Sequence, residues 1–215
     1  MRVGVLGGGQ LGRMMAQAAS RLGCQMTVLD PAGLESPAGR VCGKAVVGAF
    51  KDPAKVRELA GQVDVITVEI EHVDTTALTA LEKEGASVHP SSATIALIQD
   101  KYAQKQHLSK VSGVPLGEFI EIPSAKALLA AGEKWGYPLM LKTKRDAYDG
   151  RGNLPIHSKE EAAKGYASLS RNGAAGVYAE KWCPFTKELA VMVARSKNGE
   201  VKSYPTVETI QKGER

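Results

Sequence analysis

The chain has 215 residues, 43% of them hydrophobic and 24% charged, and a formal net charge of +5. That is the composition of an ordinary globular protein with room for one large core or two small ones, and no apolar run reaches membrane-spanning length. The basic residues are interspersed with acids rather than laced with aromatics, which make up only 5%, so the charge argues for a small phosphorylated ligand over a nucleic-acid track. Residues 1–12 read as a strand and turn, not a secretion signal. Cys24, Cys42 and Cys183 are odd in number, lack C-x-x-C spacing and read as buried or free thiols in a reducing cytosol.

In chain order, RVGVL, QMTVL, KAVV and VDVITVEI are short apolar runs of the kind found in a parallel sheet, and ASVHP reads as a fifth strand. Between them lie LGRMMAQAASRL, DPAKVRELA and TTALTALEKEG, with helical apolar spacing, an Asp cap with Pro at the first helical position, and a closing Gly85. This alternation predicts a Rossmann-like, doubly wound α/β domain over residues 1–100. Two helices follow in SSATIALIQDKYAQKQHL, with Asp100 capping the second, and residues 101–120 form a helical connection. An α+β region begins with EFIEI, continues through the helix SAKALLAAGEKWG and the strand YPLMLKT, and passes a polar glycine loop. SKEEAAKGYASL carries a capping-box pattern, Ser158 with Glu161. GVYAEKW and KELAVMVARS read as strands, and KNGE turns into VKSYPTVET. The expected domains are 121–185 and the beginning of a third at 186–215, where an apolar strand ends the chain and would leave an edge unless something packs beside it.

Three segments carry chemistry. Gly7, Gly9 and Gly12 satisfy G-x-G-x-x-G between a strand and a helix, and Asp30 ends the next strand, which together favour a nucleotide or phosphate over a mere tight turn. In VDVITVEIE, Glu69 and Glu71 would share one face of a strand end, either as solvated acids or as acceptors for an amine or ribose hydroxyls. In LKTKRDAYDGRGN, a strand delivers Lys142, and Tyr148, Asp149, Gly150, Arg151 and Gly152 form a loop in which glycine backbone and guanidinium can approach phosphate oxygens. No Walker pattern is present. Downstream, VYAEKWCPFTKELAV places Glu180 and Glu188 at two strand edges, suited to an adenine amino group and a ribose. His72, His89, His107 and His157 show no metal-ligand spacing.

Together, GGGQLGRM, TVEIEHV, QDKYAQKQHL, KTKRDAYDGRGN, YAEKWCPFTKELAVMVAR and YPTVETIQK make the whole chain resemble the ATP-grasp carboxylases of purine biosynthesis, the 5-(carboxyamino)imidazole ribonucleotide synthetases, which in fungi form the N-terminal part of phosphoribosylaminoimidazole carboxylase. The resemblance implies an α/β fold of a Rossmann-like domain followed by an ATP-grasp domain. It implies ATP and Mg2+ as cofactors, bicarbonate and aminoimidazole ribonucleotide as further substrates, a cytoplasmic location, a homodimer, and no nucleic-acid or membrane partner. ATP contacts match Lys101, Lys142, the flap Ala147, Tyr148, Asp149, Gly150, Arg151, Gly152 and Asn153, the adenine linker Glu180, Lys181, Trp182 and Cys183, the ribose carboxylate Glu188, and Gln211. Tyr148, Asp149 and Arg151 match the catalytic positions, and Gln10, Leu11, Glu69, Tyr148 and Arg151 those that hold the ribonucleotide. Ala147 replaces a glycine common in bacterial members, which would stiffen the flap, and Gln211 stands where many members have histidine. No metal ligand is assigned; the family's ligands are expected beyond residue 215, and the chain alone is expected to bind ATP weakly without turnover. Two rival readings stand beside this one: an NAD-linked oxidoreductase resting on GGGQLG and Asp30, and a non-catalytic nucleotide-binding module.

Overall fold

The computed structural model describes residues 1–147 and 152–210. They cluster into two compact units, Met1–Val114 with Lys144–Asp146, and Pro115–Thr143 with Ala147–Arg215.

The first unit runs β1 (Arg2–Leu6), α1 (Gln10–Arg21), β2 (Gln25–Asp30), α2 (Gly39–Cys42), β3 (Ala45–Val47), α3 (Pro53–Ala60), β4 (Val65–Val68), α4 (Thr75–Lys83), α5 (Ser92–Gln99) and α6 (Lys101–Leu108). Its four strands are all parallel, in the order β3-β2-β1-β4. Alternate residues of each strand serve opposite faces, so β1 sends Leu6 into a core with Leu29, Leu59, Ile66 and Leu78, and Val5 into a second core with Val28, Ala16 and Ala38. Helices therefore cover both faces, as the βα alternation predicts. Gly4 lets α3 sit close: a Cβ there would lie 2.9 Å from Val63 and 3.1 Å from Leu59.

Local capping explains where these helices start. Asp52 accepts from Ala54 N–H, Asp74 from Thr76 and Ala77, Ser91 from Thr94, and Asp100 from Tyr102 and Ala103. Two expectations fail here. ASVHP contributes a single bridge, Val88 to Ile66, not a fifth strand. β4 ends at Val68, so Glu69 and Glu71 lie beyond the pleat and do not share a strand face.

The second unit contains β5 (Phe119–Glu121), α7 (Ala125–Trp135), β6 (Leu139–Thr143), β7 (Asn153–Ile156), α8 (Lys159–Leu169) and β8 (Val177–Lys181). These four strands form an antiparallel sheet in the order β5-β8-β6-β7. Leu139, Leu141, Ile156, Val177 and Ala179 point to one face, where Leu128 and Ala131 of α7 and Ala162 of α8 close a core. Gly165 of α8 packs on β7, since a Cβ there would collide with Ile156. The capping box before α8 does not form. Glu161 accepts from His157 N–H at 2.9 Å, while the Ser158 side chain makes no cap bond and instead helps to hold the Glu160 carboxyl below its ordinary range.

Four short strands follow: β9 (Glu188–Ala190), β10 (Val193–Arg195), β11 (Val201–Ser203) and β12 (Val207–Thr209). KELAVMVARS is thus two strands rather than one. β9 pairs with β12 and β10 with β11, both antiparallel, and residues of all four strands are exposed.

Candidate functional site

The glycine loop between β1 and α1 is already engaged by the protein's own carboxylates. Gly8 N–H donates to Asp30 Oδ2 at 2.9 Å, and Gly9 N–H to Glu69 Oε2 at 2.6 Å. Gly7 N–H continues the main-chain ladder to Leu29 O at 3.0 Å. A Cβ would meet Glu69 carboxylate oxygens at 3.1 Å from Gly7, 2.6 Å from Gly9 and 2.8 Å from Gly12. Three fingerprint glycines therefore make room for a glutamate side chain where a dinucleotide-binding loop would make room for pyrophosphate. Asp30, the residue a dinucleotide would need for its ribose, is bonded to Gly8 and, through Oδ1, to Ala32 N–H at 2.9 Å.

Beyond that loop, the first helical bond of α1 runs from Arg13 N–H to Gly9 O, and the cap residue Gly9 supplies no side chain. The N–H groups of Gln10 and Leu11 thus stand in the unpaired first turn, with Leu11 57% exposed. Lys101, also in the first unit, is the first residue of α6; its N–H donates to Lys144 O at 2.8 Å. Asp100, which caps that helix, also takes Arg145 Nε at 3.1 Å, and Lys144 Nζ lies 4.7 Å from the centre of the Tyr102 ring. His72 approaches Glu71 and Asp146, each at 3.7 Å.

In the second unit, Lys142 Nζ lies 3.3 Å from Glu180 Oε1, with the side chains 26% and 19% exposed. The register explains the pair. Glu180 is opposite Met140, two residues from Lys142, so both side chains leave the sheet on the same face, the one away from the α7–α8 core. Asn153 is opposite Lys142 on β7 and shares that face. At the end of β6, Thr143 N–H donates to Gly152 O at 2.9 Å. Gly152 has φ +84°, and a Cβ there would clash with Thr143 and Ala147, so this position favours glycine on two counts. Ala147 is buried at 5% exposure.

Lys181 differs from its neighbour. It is opposite Leu139, on the core side of the sheet, and its Nζ pairs with Glu118 Oε1 at 2.7 Å. Trp182 is 39% exposed, Cys183 is exposed, and Glu188 begins β9 opposite Thr209. Tyr148, Asp149, Gly150, Arg151 and Gln211 lie outside the described residues. Sequence reasoning missed the self-bonding of the loop by Asp30 and Glu69, and it missed Glu118, whose position beside Lys181 follows from strand pairing that no local pattern reveals.

Residues 1–99 match the model of the ribonucleotide synthetase preATP-grasp domain, and residues 106–214 that of the ATP-grasp domain. The chain belongs to the ATP-grasp family, in which the Lys142–Glu180 face sits within the matched ATP-grasp domain. It is 48% identical over 212 residues to phosphoribosylaminoimidazole carboxylase of Ogataea methanolica, a match covering 97% of this chain and 38% of the relative. Among solved structures, carboxyaminoimidazole ribonucleotide synthase from Aspergillus clavatus, complexed with ATP, superposes with a TM-score of 0.88 at 46% identity, covering 98% of this chain and 54% of that one. A second structure of the Aspergillus clavatus enzyme, with ADP and 5-aminoimidazole ribonucleotide, gives 0.87 at 45% identity, with the same shares of the two chains. The chain therefore spans about two-fifths to a little over half of the length of these proteins.

Proposed function

We propose that this chain carries ATP- and ribonucleotide-binding residues of a cytoplasmic enzyme that uses ATP to carboxylate 5-aminoimidazole ribonucleotide with bicarbonate in purine biosynthesis. The observation that carries the proposal is the Lys142–Glu180 pair at 3.3 Å on the face of the ATP-grasp sheet opposite the α7–α8 core. A lysine fixed there by a partly buried carboxylate is a preorganised cation, able to stabilise phosphate charge without reorganising during the reaction.

In this reading Lys142 and Lys101 contact ATP phosphates, and Ala147 through Asn153 form the flap over them. Glu180 to Cys183 border the adenine and Glu188 takes the ribose. ATP would phosphorylate bicarbonate to carboxyphosphate, with ADP leaving; the exocyclic amine of the ribonucleotide then attacks the carboxyl carbon and expels phosphate. Gln10 and Leu11 would hold the ribonucleotide through their first-turn N–H groups. Glu69 would face it from the loop, and Tyr148, Asp149 and Arg151 would act at the reacting centre. Magnesium belongs to the proposal. Among the described residues, however, no group of three or more His, Cys, Asp or Glu side chains could hold a metal ion, so no step is assigned to it.

The proposal includes a homodimer, and small molecules rather than nucleic acid or membrane as partners; among the described residues no helix is long and apolar enough to cross a membrane. Light scattering tests the assembly. The domain division it implies is 1–100 for the ribonucleotide, 101–120 as connection, and 121–185 with 186–215 for ATP. The oxidoreductase reading loses its support, because the loop N–H groups it needs are bonded to Asp30 and Glu69. The test of function is phosphate release by the protein at its natural length. Release should require bicarbonate and the ribonucleotide together with ATP, and release independent of both would count against the reading.

A further inference from the structure

The segment that leaves β8 is anchored by a residue outside the nucleotide face. Glu118, just before β5, uses every acceptor it has. Oε1 takes Lys181 Nζ at 2.7 Å, Oε2 takes Trp135 Nε1 at 3.1 Å, and the main-chain carbonyl takes Lys181 N–H at 3.0 Å. Lys181 is thus bound to one residue through both backbone and side chain, and the last residue of α7 braces that residue from a third direction. The hydrogen bond from Lys181 is the main reason that the Glu118 carboxyl lies below its ordinary range.

The consequence is geometric. Glu180 and Lys181 leave the sheet on opposite faces, Glu180 toward Lys142 and Lys181 toward Glu118. A free lysine at position 181 could swing its flexible stem toward a bound polyphosphate; here its ammonium is held on the other side. Building on the ATP-binding reading above, we infer that Glu118 is a positioning residue. It fixes the course of the linker from Lys181 to Cys183, so that this linker meets the nucleotide base through its backbone, with Lys181 as an anchor rather than a phosphate ligand. A purine amino or carbonyl group is distinguished by a donor and an acceptor at fixed spacing, so a linker released from its anchor loses base selectivity before it loses affinity for the phosphates.

The experiment is a competition of ATP and of GTP against a fluorescent ATP analogue on the protein at its natural length, for the wild type, Glu118→Ala, Glu118→Gln, Lys181→Met and Trp135→Phe. Glu118→Ala should weaken ATP by about fivefold, the scale of losing one well-formed surface ion pair with its hydrogen bonds. It should leave GTP within about twofold, so that the ATP preference narrows. Glu118→Gln, which keeps the shape and one acceptor, should recover part of the preference. Lys181→Met and Trp135→Phe should shift it in the same direction as Glu118→Ala, and they carry the test if that variant does not fold. An unchanged ATP-to-GTP ratio in folded anchor variants would overturn the inference, as would an equal loss of both nucleotides in Lys181→Met, the mark of a direct phosphate ligand. Should the wild type bind neither nucleotide, the ATP reading itself fails, an outcome distinct from the other two.

Discussion

Glu69 has two demands on its carboxylate. It closes the glycine loop through Gly9 N–H at 2.6 Å, and in the proposed function it faces the ribonucleotide. Glu69→Gln keeps the shape but removes the charge, so it should weaken the ribonucleotide and spare ATP; parallel titrations of the two ligands read this directly, and equal weakening would refute the assignment. Gly9→Ala offers an independent route to the same site. Its Cβ would lie 2.6 Å from Glu69 Oε1, the end of a side chain that can move, so the carboxylate should be displaced while the fold survives. The expected result is again a selective loss of the ribonucleotide. The sequence displayed these glycines clearly and concealed their purpose, because G-x-G-x-x-G reports only that something approaches the backbone. Whether that is a phosphate or a glutamate just past the end of β4, 60 residues away, depends on a tertiary contact. Lys142 is the opposite case: its strand, its place before the glycine loop and its alternation with Leu141 were legible from local pattern. Lys142→Ala should lower turnover by about 10²–10³ in the protein at natural length, typical of removing one preorganised charge stabiliser.

At the scale of elements, α6 shows how one side chain serves two purposes. Asp100 Oδ1 caps the helix through Tyr102 and Ala103, while Oδ2 takes Arg145. Asp100→Ala should cost about 1 kcal/mol of stability, the usual value of an N-cap, whereas Asp100→Asn should retain most of it, because asparagine caps as well as aspartate. Denaturant unfolding of the two variants measures the difference. The helices that Asp52 and Asp100 cap were readable because a cap is a local bond. The capping box before α8 was misread: the Ser158 side chain makes no cap bond, and Glu161 bonds the N–H of His157, one residue before the cap. Exposed ion pairs also tie elements together: Arg2 with Asp64, at the base of β1 and β4, and Arg57 with Glu84, between α3 and α4. Hydrogen bonds from the arginines hold both carboxyls below their ordinary range, so their contribution is present above the unfolded carboxylate range and is lost as pH falls through the lowered folded values. Thermal midpoints should therefore decline on acidification below about pH 4, and less so in Asp64→Asn, which has no such group to titrate.

For the whole molecule, the α/β class and the change from βα alternation to an α+β region were legible in the rhythm of apolar runs; that the second sheet is antiparallel was not. Strand register was not, yet register is what brings Lys142, Glu180 and Asn153 to one face and sends Lys181 to the other. The β9–β12 and β10–β11 ribbons were read as longer strands because Leu189, Val191, Met192 and Val193 form a continuous apolar run, although all four are exposed. The account as a whole rests on an adenine-nucleotide site built on Lys142. The direct measurement is a titration of this chain with ATP and with NADH, followed through tryptophan fluorescence, since partly exposed Trp182 lies in the linker expected to border the base. ATP should change the signal, Lys142→Ala should weaken that response by at least about tenfold, and NADH should leave it unaltered. Saturable binding of NADH with no response to ATP would contradict the account.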